Sequence, residues 1–518
     1  MSLLHGLNAH MLNIKPVAKT AILMVILTFG SKILGFIREM ALAFFFGTSY
    51  VVDAYVVAYN IPNIIFAGLF VAIGTAYLPV YSRIFEVNGA KAGNVFTSQI
   101  INMLLVLSIV CTIIGITISD KIVSIFAPGF SSETAKLTSF FLRITFSFTL
   151  LTSLMSLFDN YLHYKNVFLP QILADYAQNI SVIIAIVIGA KYGSRLIIFG
   201  LLSGYAIKCV VHYLVAIRKD FRYAINRRGT FNTLTAIIPL AIPVFLGTTI
   251  QEINVFVDRF MASGLAEGSV SALNYANQVN MLVITVSVTI ITTLVYPKLA
   301  QANSTRNIER FGNILQKGFN LILIIAIPCS LGAIVYGKEI ITLIYKRGAF
   351  DLNATLMTSR AYVFFSIGLT FLALNDYVTR AYYALHNMRS PMYFAAISIT
   401  INITLNFIFV GPLKHAGLAL SSSIAAFCNC ILLVVSFSRK YREYRLVEST
   451  RKLLVVILCA ATSIGISYFI FLLLIAGSRI TSSWSFFMIL PIAAFLYWLL
   501  LKVFKINEIM YMFQETKT

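Results

Sequence analysis

The sequence predicts an all-α polytopic membrane protein of about fourteen transmembrane helices, two six-helix repeats followed by a helix pair. Three observations carry that prediction. Of 518 residues, 59% are hydrophobic and 11% charged, where ordinary soluble chains carry about a quarter charged residues. Apolar stretches of about 18 residues or more, able to cross about 30 Å of hydrocarbon as helices, begin near residues 17, 51, 97, 138, 168, 196, 232, 268, 313, 356, 392, 416, 452 and 483. They are continuously apolar rather than alternating, which favours helices over a barrel. The third observation is an internal repeat. Ala54, Ala58 and Pro79 stand opposite Ala272, Ala276 and Pro297 at an offset of 218, Gly129 opposite Gly348 at 219, and Asn166 and Pro170 opposite Asn387 and Pro391 at 221. Six spans per copy is an even number, so both copies enter from the same side and their pseudo-two-fold axis runs along the membrane normal. Duplicated bundles of this kind are a transporter signature, with substrate held between the halves near the bilayer midplane.

Residues 1–16 lack the charged, apolar and small-residue regions of a signal peptide, so a retained, cytoplasmic N-terminus is expected. In span one, Gly30 and Gly35 bracket Lys32, and glycine is a common place for a membrane helix to bend or admit another backbone; an interrupted helix is expected here. The same span carries Arg38 and Glu39, and the second opens on Asp53. A charge at mid-bilayer is costly and usually faces a cavity or a partner. Arg38 precedes Gly47 by nine residues and Asp53 follows it by six, which on antiparallel helices puts them roughly 14 and 9 Å below the turn, within mutual reach. The plainer alternatives are local pairing for Glu39 and an interfacial cap for Asp53.

Spans one to six form the N-terminal lobe, residues 1–217, and the basic segment 218–231 is the linker. Span seven opens the C-terminal lobe, residues 232–438, where Pro239 and Pro243 predict a second break at a place corresponding to the first. Paired discontinuous helices point to a transport cavity. Glu252 lies deeper than Asp258 and Arg259 and is the better cavity candidate; the latter two, near the outer surface, are solvated charges or a gate pair. Asp175, Lys208, Asp376 and Arg380 also fall in or beside spans, with Arg380 expected as an inner-surface anchor and Lys208 snorkelling to the same surface. Spans thirteen and fourteen, within residues 439–518, have no counterpart in the repeat.

The net charge of +21 is spread among loops, with about 25 Lys and Arg on the inner side, about 10 on the outer side and about five in the membrane. The densest clusters, Arg218 to Arg228 and Arg439 to Lys452, read as topology determinants beside anionic lipid rather than a nucleic-acid surface. No phosphate loop, zinc helix or nucleophile elbow is present. The six histidines are scattered and the six cysteines lie in apolar runs, where a thiol behaves as a small hydrophobe. Neither a metal, a cofactor nor enzyme chemistry is implied. Energy for transport is expected from an ion gradient, the membrane potential or consumption of the product.

The segment Asn406 to Leu420, NFIFVGPLKHAGLAL, resembles the MurJ (MviN) family of lipid II flippases, within the multidrug/oligosaccharidyl-lipid/polysaccharide exporter superfamily. Further matching pieces are Ser31 to Glu39, Asp53-Ala54, Pro62-Asn63, Phe126 to Phe130 and Gly268 to Ala276; the likeness is collinear from about residue 20 to 440. It implies a V-shaped, two-lobed bundle with a cationic central cavity, and a hydrophobic groove at spans thirteen and fourteen for a lipid tail. The implied substrate is undecaprenyl-diphosphate disaccharide pentapeptide, moved from inner to outer leaflet for peptidoglycan synthesis, with membrane lipids and cell-wall synthesis enzymes as the remaining expected partners. By this resemblance Lys32 and Arg38 match basic cavity positions and Asp53 a cavity aspartate. Two departures stand out. Many relatives carry an Arg-Arg pair after Pro-Asn, where this chain has Ile64, Ile65, Phe66 and Ala67, and an arginine after Tyr-Ala, where it has Asn277 and Gln278. Asn277 and Gln278 are then expected to give neutral hydrogen bonds to sugar or peptide. Another undecaprenyl-linked saccharide therefore stays open as substrate. A cation or drug antiporter would need a net acidic site, and a scaffold would have no reason to keep costly intramembrane charges.

Overall fold

The computed structural model describes residues 16–224, 230–285, 290–444, 446, 450–477, 482–504 and 506. Among them are seventeen α-helices and no strand, as backbone satisfaction in hydrocarbon demands. Packing divides the chain into unit 1, Met1–Phe46 with Tyr50–Phe256, and unit 2, Gly47–Ser49 with Val257–Thr518.

Unit 1 contains α1 (Pro16–Phe46), α2 (Tyr50–Pro62), a π-helical turn (Asn63–Ala67), α3 (Gly68–Thr117), α4 (Ser119–Phe126), α5 (Ser132–Tyr164), α6 (Leu169–Tyr192) and α7 (Ile197–Arg218). The long α3 is two helices joined at Gly89, whose φ of 79° is open to glycine. They fold back antiparallel. Tyr77 stacks on Phe96 at 5.6 Å and bonds Thr97 at 2.8 Å, while Tyr81 meets Tyr161 at 5.5 Å. The second span thus runs from Tyr50 to the Gly89 bend, close to 60 Å at 1.5 Å per residue and longer than the hydrocarbon needs.

Unit 2 shares α8 (Thr230–Ser263) with unit 1 and continues through α9 (Ser269–Ile284), α10 (Ile290–Ser304), α11 (Ile308–Val335), α12 (Gly337–Tyr345), α13 (Leu352–Ala384), α14 (Arg389–Leu413), α15 (His415–Lys440), α16 (Thr450–Gly477) and α17 (Ser482–Val503). The repeat holds helix by helix. Tyr50 and Ser269 start equivalent helices 219 residues apart, Ser132 and Leu352 220 apart, and Ile197 and His415 218 apart. It also includes two short helices that hydropathy did not reveal, α4 and α12, whose starts are 218 apart. Being short and amphipathic, they carry no membrane-length signal. The last pair docks through α12: Tyr336 at its cap packs with Ile464, Phe471, Phe486 and Ile489 of α16 and α17.

The structure corrects the repeat register by one residue at the α5–α6 turn. Asn166 takes a left-handed φ of 56°, but so does His386 rather than Asn387, and Leu169 and Arg389 begin the following helices 220 apart. It also moves the breaks. α1 is continuous through Gly30 and Gly35, and α8 is helical through Pro239 and Pro243. The departures from α-helix lie instead in spans two and eight, at Asn63–Ala67 and where α9 ends at Ile284 before π-helical Thr285. π segments of this kind recur at functional sites.

Proline explains how these helices stay satisfied. Pro62 cannot donate to the Ala58 carbonyl, and Thr145 Oγ1 of α5 donates to it at 3.0 Å. Pro328 likewise frees the Ile324 carbonyl, and Tyr497 Oη of α17 takes it at 2.8 Å. In both cases a neighbouring hydroxyl replaces the missing N–H, as hydrocarbon surroundings require. Small residues bring α6 and α7 together, with Gly200 and Gly204 against Ala185 and Gln178. Large apolar side chains such as Phe407, Ile408 and Phe469 stay exposed, the expected state of a lipid-facing surface.

Candidate functional site

In unit 1 the glycines of α1 serve close packing. A Cβ at Gly30 would collide with the Tyr176 hydroxyl of α6, which donates to the Leu27 carbonyl at 2.8 Å. That approach sets Arg38 beside α6. Its Nη1 donates to Asn179 Oδ1 at 3.2 Å and its Nη2 to Glu39 Oε1 at 2.7 Å. Asn179 is itself held by donating to the Asp175 carbonyl at 3.0 Å. Tyr55 and Tyr59 lie within electrostatic reach of the guanidinium, and Tyr59 meets Tyr205 at 3.4 Å.

The arginine's carboxylate partner is thus Glu39, next to it in sequence, the local pairing that the sequence left open beside a pairing with Asp53. Asp53 is buried within the first turn of α2. Lys32 is exposed on α1. Glu252 is half-buried on the part of α8 that belongs to unit 1. Lys208 does not snorkel. It pairs with Asp175 on the neighbouring α6 at 2.5 Å, its side chain only 11% exposed. Next to it, buried His212 meets Asp159 at 2.5 Å. Sequence reasoning missed Asn179, Asp159 and His212. For Asn179 and His212 the signal was a polar residue one turn from Asp175 and from Lys208; Asp159 stands alone near the end of apolar α5.

In unit 2, Asp258 accepts from Asn406 Nδ2 at 2.7 Å; the same nitrogen is 3.1 Å from Asn402 Oδ1, and Asn402 donates to Ser422 at 3.1 Å. Asp258 is therefore built into a polar string across α8, α14 and α15, with Arg259 its nearest cation. Asn402 and Asn406, four apart in an apolar helix, were also missed as site residues. Asn277 and Gln278 lie half-buried on α9. Asp376 and Arg380 pair at 3.2 Å within α13.

Two copies of one six-span bundle, each with ionic groups paired inside apolar helices, define a polytopic membrane transporter rather than an enzyme. The family model described as lipid II flippase MurJ matches residues 42–495. A probable lipid II flippase MurJ of Buchnera aphidicola subsp. Baizongia pistaciae is 26% identical over 429 residues, 80% of this chain and 82% of that protein. A solved lipid II flippase MurJ in an inward closed conformation superposes with a TM-score of 0.82 at 26% identity, covering 94% of this chain and 100% of that one. An inward-facing multidrug resistance MATE family transporter of the MOP superfamily shares the fold alone, with a TM-score of 0.66 at 12% identity over 81% of this chain and 98% of that one. The chain belongs to the MurJ family of lipid II flippases.

Proposed function

We propose that this chain flips lipid II, undecaprenyl-diphosphate disaccharide pentapeptide, from the inner to the outer leaflet of the bacterial cytoplasmic membrane by alternating access, with both termini cytoplasmic. The observation that carries the reading is Arg38: a guanidinium on a membrane helix, in a family of lipid II flippases, with two of its five N–H donors held by Glu39 and Asn179. A diphosphate suits the planar fork better than a single carboxylate does, so it competes with Glu39 for Arg38 while Asn179 keeps the fork aimed. Lys32 adds a second positive charge. Asp53 and Glu252 tune the site, Asn277 and Gln278 offer neutral hydrogen bonds to sugar or peptide, and Asp258 with Arg259 contributes to gating. The polyprenyl tail stays in the bilayer throughout. Energy comes from the membrane potential or an ion gradient.

The second reading, another undecaprenyl-linked saccharide, is favoured by apolar Ile64, Ile65 and Phe66 in the π turn and by neutral Gln278 where relatives carry arginines. Depleting the protein in its host and identifying the undecaprenyl-linked intermediate that accumulates separates the two. Lipid II is the intermediate expected to accumulate. A different lipid-linked sugar, with wall synthesis normal, would transfer the assignment to the second reading.

A further inference from the structure

We propose that His212 and Asp159, with Lys208 and Asp175 beside them, form a binding site for one exchangeable proton in unit 1, and that the lipid transport proposed above requires it to be filled. His212 is fully buried. Its Nδ1 lies 2.6 Å from the Lys208 carbonyl, and a carbonyl only accepts, so Nδ1 carries a hydrogen. Its Nε2 lies 2.5 Å from Asp159 Oδ1, a contact that is not itself an aligned hydrogen bond, and both atoms are buried without a hydrogen-bond partner. A neutral ring would set a lone pair against a carboxylate at that separation, which is repulsive. A proton held by the pair relieves that repulsion, whether written as imidazolium with carboxylate or as imidazole with carboxylic acid.

The surroundings leave that proton as the variable quantity. The charged groups acting on His212 are Asp159 of α5 and Lys208 of α7, and Lys208 is already neutralised by Asp175 of α6. Of the other titratable neighbours on these helices, Tyr161 donates to the Lys219 carbonyl, Tyr205 bonds Tyr59, His163 bonds Gln171, and Tyr213 packs on Phe158 and Phe221; Cys209 adjoins on α7 itself. Asp159 is 18% exposed. It lies five residues before the end of α5 and His212 six before the end of α7, about 8 to 9 Å from the helix ends.

A physical path joins this site to Arg38. Losing the proton sets lone pair against carboxylate and drives α5 from α7. The Lys208–Asp175 pair ties α7 to α6, and one turn along α6 Asn179 bonds both the Asp175 carbonyl and Arg38. Filling the site clamps the helices that aim the guanidinium.

The test uses purified full-length protein. In nitrogen-15 histidine spectra recorded across a pH range, wild type should show one buried histidine changing protonation, a signal absent from His212→Gln. Asp159→Asn keeps the helices joined, since its amide donates to a neutral ring, but leaves no exchangeable proton. Lipid II flipping in vesicles should fall up to about tenfold per pH unit on the alkaline side in wild type, and show a flat profile in Asp159→Asn. A His212 signal fixed in one state across that range would overturn the site, and an Asp159→Asn profile identical to wild type would overturn its link to transport. Failure of wild type to flip lipid II at every pH would strike the substrate reading, while the spectra still decide the proton site.

Discussion

Arg38 concentrates the residue-scale argument, because its position on α1, its partners and its chemistry all bear on one anion. Removing the charge in Arg38→Ala should abolish flipping while the protein still folds and inserts. Arg38→Lys should keep only part of the activity, since an ammonium lacks the two-pronged geometry of the guanidinium. Complementation with membrane-inserted protein measured in parallel checks both, and normal growth on a well-expressed Arg38→Ala would refute the phosphate role. At Gln278 the absent cation gives a signed expectation. Gln278→Arg should be tolerated or improve diphosphate binding, whereas Gln278→Glu should impair transport by repulsion; equal activity of the two would show that α9 does not present this residue to substrate. Arg38 itself was legible in the sequence, as a charge that an apolar span has no reason to carry. Its local pairing with Glu39 was one of the alternatives the sequence offered; its bond to Asn179 was not, because depth along a helix says which residues are level but not which way each faces.

Among the elements, proline and the hydroxyls that answer it determine how spans two and nine pack. Thr145→Val would leave the Ala58 carbonyl in α2 without its partner, and an unsatisfied buried acceptor costs about 1–3 kcal/mol. Thr145→Ser, which keeps the donor, should cost much less. Tyr497→Phe should behave like Thr145→Val for the Ile324 carbonyl. Thermal unfolding in detergent, compared across the three variants, reads this difference; equal stability of Val and Ser at position 145 would mean that water or a bent helix satisfies Ala58. The expected breaks in spans one and seven illustrate a limit of composition. Glycine and proline mark places where a helix can deviate, but Gly30 is spent on admitting Tyr176, and the deviation falls after Pro62 instead.

At the scale of the whole chain, the distribution of Lys and Arg is what supports the proposed orientation of both repeats. On a background free of its six cysteines, cysteines placed at Ser194 and Ser482 should react with an impermeant reagent from outside intact cells. One at Thr230 should not, and its labelling from outside would overturn the proposed orientation. The span starts read from hydropathy agree with the helices to within several residues, including the equivalence of the two copies, because each span must be long and apolar whatever it packs against. α4 and α12 escaped because they are too short to span and are amphipathic rather than continuously apolar.

The sequence by itself determined the solvent, the helical class, the number of spans, the duplication and the family. Each follows from local composition or from collinear identity, and neither depends on which faces meet. Only the tertiary structure decided the partners: Glu39 and Asn179 for Arg38, Asp175 for Lys208, Asp159 for His212, and Asn406 for Asp258. In apolar helices a polar side chain can pair along its own helix, as Arg38 does with Glu39, or across to a neighbouring one, as Lys208 does with Asp175. The choice is set by the rotation and crossing of packed helices, which small residues and satisfied carbonyls fix in space rather than along the chain.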